Sequence, residues 1–407
     1  RFSFDVLDPT KIVPEELVPL QVVGTMTLNR NPDNFFAETE QVAYCTSHIV
    51  PGIDFSNDPL LQGRLFSYQD TQLTRLGGPN FHEIPINAPI AQVHNNQRDG
   101  MHRQALHRGR VSYEPNSLGG GCPHQAGMAG FRTVAEPVRD HKVRIKPEKF
   151  ADHYSQATLF FASQTAVEQQ HIINAFVFEL TRVELPAIRQ RMVSVLRNVD
   201  EGLAQAVAGG LGMDPVPDAQ PLAVEPRVVS EVEASPSLSM FARPGQAGAT
   251  GRRVALLAAD GCDGDMLMAV RDALLAAGAA PKIVGTRMGV TTASDGTPIE
   301  TDTSVTAMPS VLWDAAMLDA SPQSLDALCA HGPLLEFMRD QFRHCKAIML
   351  TGDGDAVLAA AGIPLSSEDH PDAPGIVWGD SADDVPAFVA AIARHRHLER
   401  ESTPPPI

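Results

Sequence analysis

The sequence predicts an α+β, multidomain chain whose C-terminal part is a parallel α/β unit. Three features predict it. Residues 251–400 alternate short apolar runs with helical periodicity, the pattern of a parallel sheet covered on both faces. Residues 151–212 carry apolar positions at helical spacing. Residues 1–150 are rich in Asn, Pro, Gly and His with few long periodic runs, which fits an arm that wraps around something else rather than a free-standing domain.

Taken in order, residues 20–28 (LQVVGTMTL) read as a strand. Residues 58–75 (DPLLQGRLFSYQDTQLTR) read as a helix despite Gly63: Asp58 suits the N-cap, Pro59 the first helical position, and Gly77–Gly78 the end. Much of 77–150 reads as extended loop, as in GGPNFHEIPINAPI and YEPNSLGGGCPH. Helical spacing returns over 164–179 and 188–196, after Pro186, and 204–208 runs into GGLG, a helix stop. Residues 213–250 have the Pro, Ala, Ser and Gly content of a linker. Beyond it, 252–259 (RRVALLAA) is a buried-strand run, 262–277 a helix stopped by Gly278, and 281–288 the next strand. Further apolar runs occupy 311–318 and 347–350, with a last helix over 383–395. The closing TPPPI reads as disordered.

The chain has 407 residues, enough for two to four domains, and a formal charge of −17. So acidic a protein has no overall attraction for nucleic acid or for an anionic membrane. No apolar run approaches the roughly 18 residues that span a bilayer. The five cysteines, Cys45, Cys122, Cys262, Cys329 and Cys345, are scattered, which argues against a disulfide framework and for a reducing, cytoplasmic setting. Cys122-Pro123-His124 lacks a second ligand pair at zinc spacing. The chain starts at Arg1 rather than Met, so a processed or partial chain is expected.

The segment that carries chemistry is the helix at 58–75. At about 100° per residue, Arg64, Tyr68 and Arg75 fall within about 40° of one another. One stripe thus holds two guanidiniums with a phenol between them. An Arg one turn before a Tyr and aimed at its oxygen favours the phenolate, a hard anionic ligand suited to ferric iron. The second Arg could bind a carboxylate. Spacing alone also allows a surface helix with solvated arginines and a half-buried Tyr.

RLFSYQDTQ (64–72) resembles the proximal haem-ligand signature of haem catalases. The surrounding text is similar to that family too: LNRNPDNFFAETEQ (28–41), HIVPGIDFSNDPLLQG (48–63), RLGGPNFHEIPIN (75–87) and HNNQRDGMH (94–102). This resemblance covers about residues 1–210. The linker and the α/β unit resemble the extra C-terminal domain of large-subunit catalases, which is flavodoxin-like, of the class I amidotransferase-like type. It implies the end of a β-barrel at 1–30, a wrapping arm with the ligand helix at 31–150, a helical domain at 151–212, a linker at 213–250, the flavodoxin-like domain at 251–400 and a tail at 401–407.

The resemblance implies conversion of hydrogen peroxide to water and oxygen at haem, of b or modified d type. Tyr68 would be the axial ligand to iron, Tyr being the residue through which catalases as a class hold their haem. Arg64 would hydrogen-bond the Tyr68 oxygen. Asp58 would belong to a proximal charge network, or serve only as the N-cap. Arg75 would bind a haem propionate, and Leu60 and Tyr44 would pack near the haem. Cys45 stands where some large-subunit relatives carry a His, which puts a His-dependent modification of the ligand Tyr in question. The family implies a homotetramer. Its distal His and Asn lie upstream of the proximal signature, so none of His48, His82, His94 and His102 takes that role, and the distal pair is expected outside this chain.

Two other readings stay open: a truncated, non-catalytic remnant with weak or no haem binding, and a ligand-binding or chaperone-like α/β unit. In that unit the strand at 347–350 runs into TGDGDAVL, with Asp and Gly where a nucleophilic Cys would be wanted. Cys345 precedes that strand, and Asp260, Asp263 and Asp265 beside Cys262 would repel phosphate. A stabilising or oligomer-building role is the expectation there.

Overall fold

The structure is a computed structural model; it describes the chain apart from residues 1, 51, 79, 91–98, 109, 111–115, 117, 119–121, 123–124, 126–132, 134, 140, 142, 146–147, 223–230, 243–247, 364, 366–372, 380 and 402–407. The expected tail, most of HNNQRDGMH with His94, and Pro123 and His124 therefore lie outside the described residues. The chain divides into two compact units, one of residues 1–162 and 176–235, the other of residues 163–175 and 236–407.

The first unit holds α1 (Pro59–Leu76), α2 (Ser155–Ala162), the later part of α3 (Ala166–Thr181), α4 (Pro186–Leu196) and α5 (Glu201–Gly210). The helix expected at 58–75 forms within a residue of its predicted limits. The Asp58 carboxylate accepts from the Leu60 N–H at 2.9 Å, Pro59 opens the first turn, and Gly77 closes the helix in the left-handed region with φ 77°. The three later helices also match expectation. Asp200 caps α5 by accepting from Leu203 N–H. Val193 and Leu196 of α4 are buried, as are Leu203, Ala204, Val207 and Ala208 of α5. Gly210 is required, because a Cβ there would sit 2.5 Å from a Val177 methyl group.

One expectation fails in this unit. Residues 20–28 form no strand, and Val22 and Val23 are 92% and 99% exposed. The apolar run is present, but a strand exists only when another segment completes its ladder, and no described residue does so.

The second unit is built on strands β1 (Arg253–Ala258), β2 (Ala280–Gly285), β3 (Gly289–Thr292), β4 (Pro298–Thr301), β5 (Thr303–Ser304), β6 (Ala315–Ala320), β7 (Ala347–Gly352) and β8 (Ile376–Trp378). Six of them form one parallel sheet in the order β5-β2-β1-β6-β7-β8, and β3 pairs with β4 as a separate antiparallel hairpin. Alternate residues of β1, β6 and β7 feed two cores, as the period of two requires. Val254, Leu256, Met317 and Met349 pack with α6 (Gly264–Ala276) and α10 (Val385–Ala393). Leu257, Leu318, Ile348 and Leu350 pack on the other face with α7 (Leu325–Ala330), α8 (Gly332–Arg343) and α9 (Gly354–Ala360). The expected doubly covered parallel sheet is therefore present. Its first strand, first helix and last helix stand where the apolar runs put them. Of the apolar run at 311–318, residues 311–313 lie in and beside a 3-10 turn, and the strand begins at Ala315.

Candidate functional site

The stripe on α1 is built from local geometry. Residues four apart on a helix face each other, and Arg64 Nη2 donates to Tyr68 Oη at 2.9 Å. The guanidinium carbon lies 4.9 Å from the centre of the same ring. Tyr44 meets the Tyr68 ring edge-on, with centroids 6.2 Å apart. Tyr68 and Arg64 are half-buried, whereas Tyr44 and Leu60 are exposed. The phenol oxygen therefore has a cationic donor, and its ring an aromatic neighbour.

Arg75, at the far end of the stripe, turns back to the chain. Nη1 donates to the Glu40 carbonyl at 2.6 Å, and Nη2 donates to the Val42 carbonyl and, at 3.0 Å, to Gln72 Oε1. These contacts use three of the five N–H groups a guanidinium carries, so the side chain keeps capacity for a carboxylate. They also fix the segment that presents Tyr44.

Two further residues shape this site, and neither is among those the sequence pointed to. Gln72 is the one buried side chain of α1 among those described, and it orients Arg75 from one turn away. Asn87 accepts from the Ala43 N–H at 2.7 Å and donates to the carbonyls of Gln41 and Phe81 at 2.9 and 3.0 Å, tying the stretch before Tyr44 to the turn after α1. The three-residue Gln–Arg spacing could have revealed Gln72. Nothing local in the sequence marks Asn87, two of whose partners lie more than 40 positions away.

The other expected residues fall as follows. Asp58 is the N-cap, as above. The half-buried Cys45 thiol meets Ser47 Oγ at 3.1 Å. His48 stacks on Phe81 and meets His82 edge-on, and burial, followed by the charge of Arg103, pushes the His82 pKa down. His102 has φ 58°. All five cysteines are free, and no group of three or more His, Cys, Asp or Glu side chains is placed to hold a metal ion among the described residues. A single phenolate ligand to a haem iron is a different kind of site.

The residues present fit a haem on its proximal side. They supply one oxygen donor for iron, a guanidinium directed at that oxygen, and exposed Leu60 and Tyr44 to meet a flat apolar ring.

Comparison with known proteins bears on the whole chain. Residues 1–120 match the catalase family, residues 147–211 the catalase-related immune-responsive family, and residues 250–402 the C-terminal domain found in long catalases. The chain belongs to the catalase family. Catalase HPII of Pseudomonas putida is 47% identical over 99% of this chain and 55% of its own length. Catalase HPII of Pseudomonas aeruginosa is 45% identical over 98% of this chain and 55% of its own length, and Catalase-2 of Bacillus subtilis 43% identical over 98% and 56%. The chain thus spans a little over half the length of the curated relatives it matches. No helix of this catalase-family chain is long and apolar enough to cross a membrane, among the described residues.

Proposed function

We propose that the protein to which this chain belongs is a haem-dependent catalase that converts hydrogen peroxide to water and oxygen, and that Tyr68 is the residue that would hold its haem iron. The observation that carries this reading is the Arg64–Tyr68 bond of 2.9 Å inside the RLFSYQDTQ segment of a catalase-family chain. Bound haem supplies a redox-active iron. Tyr68 holds that iron through its phenol oxygen. Arg64 places a charge-assisted donor on the same oxygen, which stabilises negative charge there and tunes how strongly the ligand donates. Arg75 would offer its remaining N–H groups to a propionate, while its bonds to the Glu40 and Val42 carbonyls keep the head group in place. Asp58 caps the helix that carries Arg64 and Tyr68. Leu60 and Tyr44, both exposed, would pack against the ring. No residue of this chain is assigned a proton transfer with peroxide.

The reading carries with it a homotetramer and a cytoplasmic location, supported by the family and, for the reducing setting, by five free cysteines. It also makes the second unit a flavodoxin-like domain. In support, the strand order β2-β1-β6-β7-β8 is the order 2-1-3-4-5 when those five strands are counted along the chain.

The test is Tyr68→Phe in the full-length protein. Turnover is expected to be abolished and haem retention weakened; near-normal activity would overturn the ligand assignment. Added to this chain alone, haem is expected to give a Soret band with ferric-phenolate character that the Phe variant lacks.

A further inference from the structure

The sheet of the second unit gathers cations at the ends where its strands begin. Neighbouring strands β1, β6 and β7 are preceded by Arg252, Asp314 and Lys346, and the segment that follows α10 carries His395 and Arg396. That segment is tied down beside β7, because His397 N–H donates to the Cys345 carbonyl at 2.8 Å and Arg400 Nη2 to the Lys346 carbonyl at 2.6 Å.

Asp314 is the carboxylate in the middle. It accepts from the Arg253 N–H at 2.9 Å, meets Arg252 Nη1 at 3.5 Å and lies 3.8 Å from His395 Nδ1. Its contacts to side-chain cations are long. Arg396 is half-buried and is bonded to no carboxylate among the described residues; its Nη1 reaches only the carbonyl and ring of His395, at 2.9 and 3.3 Å. Lys346, almost fully buried, spends its ammonium on the Ser310 carbonyl at 2.6 Å.

We propose that Arg252, His395 and Arg396, arranged about Asp314 with Lys346 behind them, form a binding site for a phosphate-class oxyanion from solution. Arg252, Lys346 and Arg396 bring three positive charges and Asp314 one negative. The C-terminal ends of α8 and α10 close beside the cluster and add about half a negative charge each. Around them Asp340, Glu399 and Glu401 are matched in number by Arg343, Arg394 and Arg400, so roughly one positive charge stays uncompensated, and more when His395 is protonated. A half-buried guanidinium that feels Asp314 without a direct bond to it is a costly arrangement that a bound oxyanion relieves. Two further observations agree. His395 adopts φ 66°, a left-handed conformation usually left to Gly or Asn at a helix end, so the imidazole is presented here against local preference. Burial, then the charges of Arg396 and Arg252, depress the His395 pKa, as expected where positive charge is in excess.

The experiment is thermal unfolding of the full chain, followed by tryptophan fluorescence at pH 7 and fixed ionic strength, during titration with inorganic phosphate, sulfate, acetate or chloride. Phosphate and sulfate are expected to raise the midpoint saturably, and acetate and chloride to leave it unchanged. Arg396→Gln is expected to weaken the apparent phosphate affinity by about tenfold or more. Arg394→Gln, which alters an exposed neighbour paired with Glu399 at 2.5 Å, is expected to leave it unchanged. Should Arg396→Gln fold poorly, Arg252→Gln read by phosphorus NMR line broadening answers the same question. The same rise in chloride, a rise with acetate instead of phosphate, or full phosphate affinity in both Arg396→Gln and Arg252→Gln would overturn the assignment.

Discussion

Replacing Lys346 with methionine should stabilise the second unit at neutral pH and remove the rise of its stability with pH. Lys346 is 3% exposed, and its ammonium donates to the Ser310 carbonyl. That carbonyl also accepts from Gln341 Nε2 at 3.3 Å, while Gln341 Oε1 and Ser310 Oγ are buried without a partner among the described residues. Burial lowers the Lys346 pKa from 10.5 to about 8, helped by Arg396 and opposed by Asp314 and Asp340. A shift of that size corresponds to roughly 3 kcal/mol of unfavourable charge burial below pH 8. The sign follows from proton counts. Between pH 8 and 10.5 the unfolded lysine holds a proton that the folded one has released, so stability rises with pH, at up to about 1.4 kcal/mol per pH unit. Cys262, raised to about 11 by burial and then by Asp319, works the other way from about pH 8 upward, where the unfolded thiol ionises first. Cys345 and Cys329, also raised by burial, act in the same direction as Cys262, so the Lys346 contribution is read as the difference between the wild-type and Lys346→Met chains over about pH 7.5 to 9, in buffer free of phosphate. Both tryptophans, Trp313 and Trp378, lie in this unit, so urea unfolding read by tryptophan fluorescence reports on it. Relative to the Lys346→Met chain, the wild-type chain should gain about 1 kcal/mol between pH 8 and 9. The Lys346→Met chain should be more stable at pH 7 by about 1–3 kcal/mol and should not gain. Equal slopes in the two chains would refute the argument.

Other perturbations separate structural from chemical roles. Asp58→Ala should lower helix stability by about 1 kcal/mol, whereas Asp58→Asn, which keeps the cap, should melt like the parent. If Asp58→Asn still loses catalase activity in the full-length protein, its charge matters beyond capping. Arg64→Leu in the haem-loaded full-length protein removes a charge-assisted bond of about 1.5–3 kcal/mol and should shift the phenolate-to-iron absorption; an unchanged spectrum would remove Arg64 from the site. Asp319→Ala should cost about 3 kcal/mol in urea unfolding, because it strips an acceptor from Asp263 N–H, Ser321 Oγ and Thr351 Oγ1 inside a buried site; a loss under about 1 kcal/mol would mean those donors find other partners.

How much the sequence disclosed depended on the range of the interaction. Helix α1 was legible to within a residue, since its cap, its N1 proline, its terminal glycine and its Arg64–Tyr68 pair all act within four positions. The strands β1 and β7 were legible because a strand buried on both faces is a continuous apolar run. The β3–β4 hairpin was not, since its strands are short, partly polar and half-exposed. Residues 20–28 show the opposite failure: apolar character without a pairing partner does not make a strand. The anchoring of Arg75 and the hub at Asn87 escaped for the same reason, because they depend on which distant carbonyls the chain brings near.

The same contrast bears on where ligands bind in the second unit. In open α/β sheets they usually bind beyond the carboxyl ends of the strands, where the strand order reverses, here between β1 and β6. Three residues at that end of this sheet are already engaged. Asp319 has its oxygens taken by three donors, Gly352 at φ 59° runs so near the Ala320 carbonyl that a Cβ would lie 2.5 Å from it, and Cys262 is fully buried. With its thiol raised to about 11, Cys262 is protonated at neutral pH and is a poor nucleophile. Asp260, Asp263 and Asp265 add negative charge around it. The opposite end carries Arg252, Arg396 and Lys346 and the long, incomplete contacts of Asp314. Uncompensated charge, more than fold convention, therefore directs the search for a ligand of this domain to the strand beginnings, while the chemistry assigned to peroxide stays with the stripe on α1.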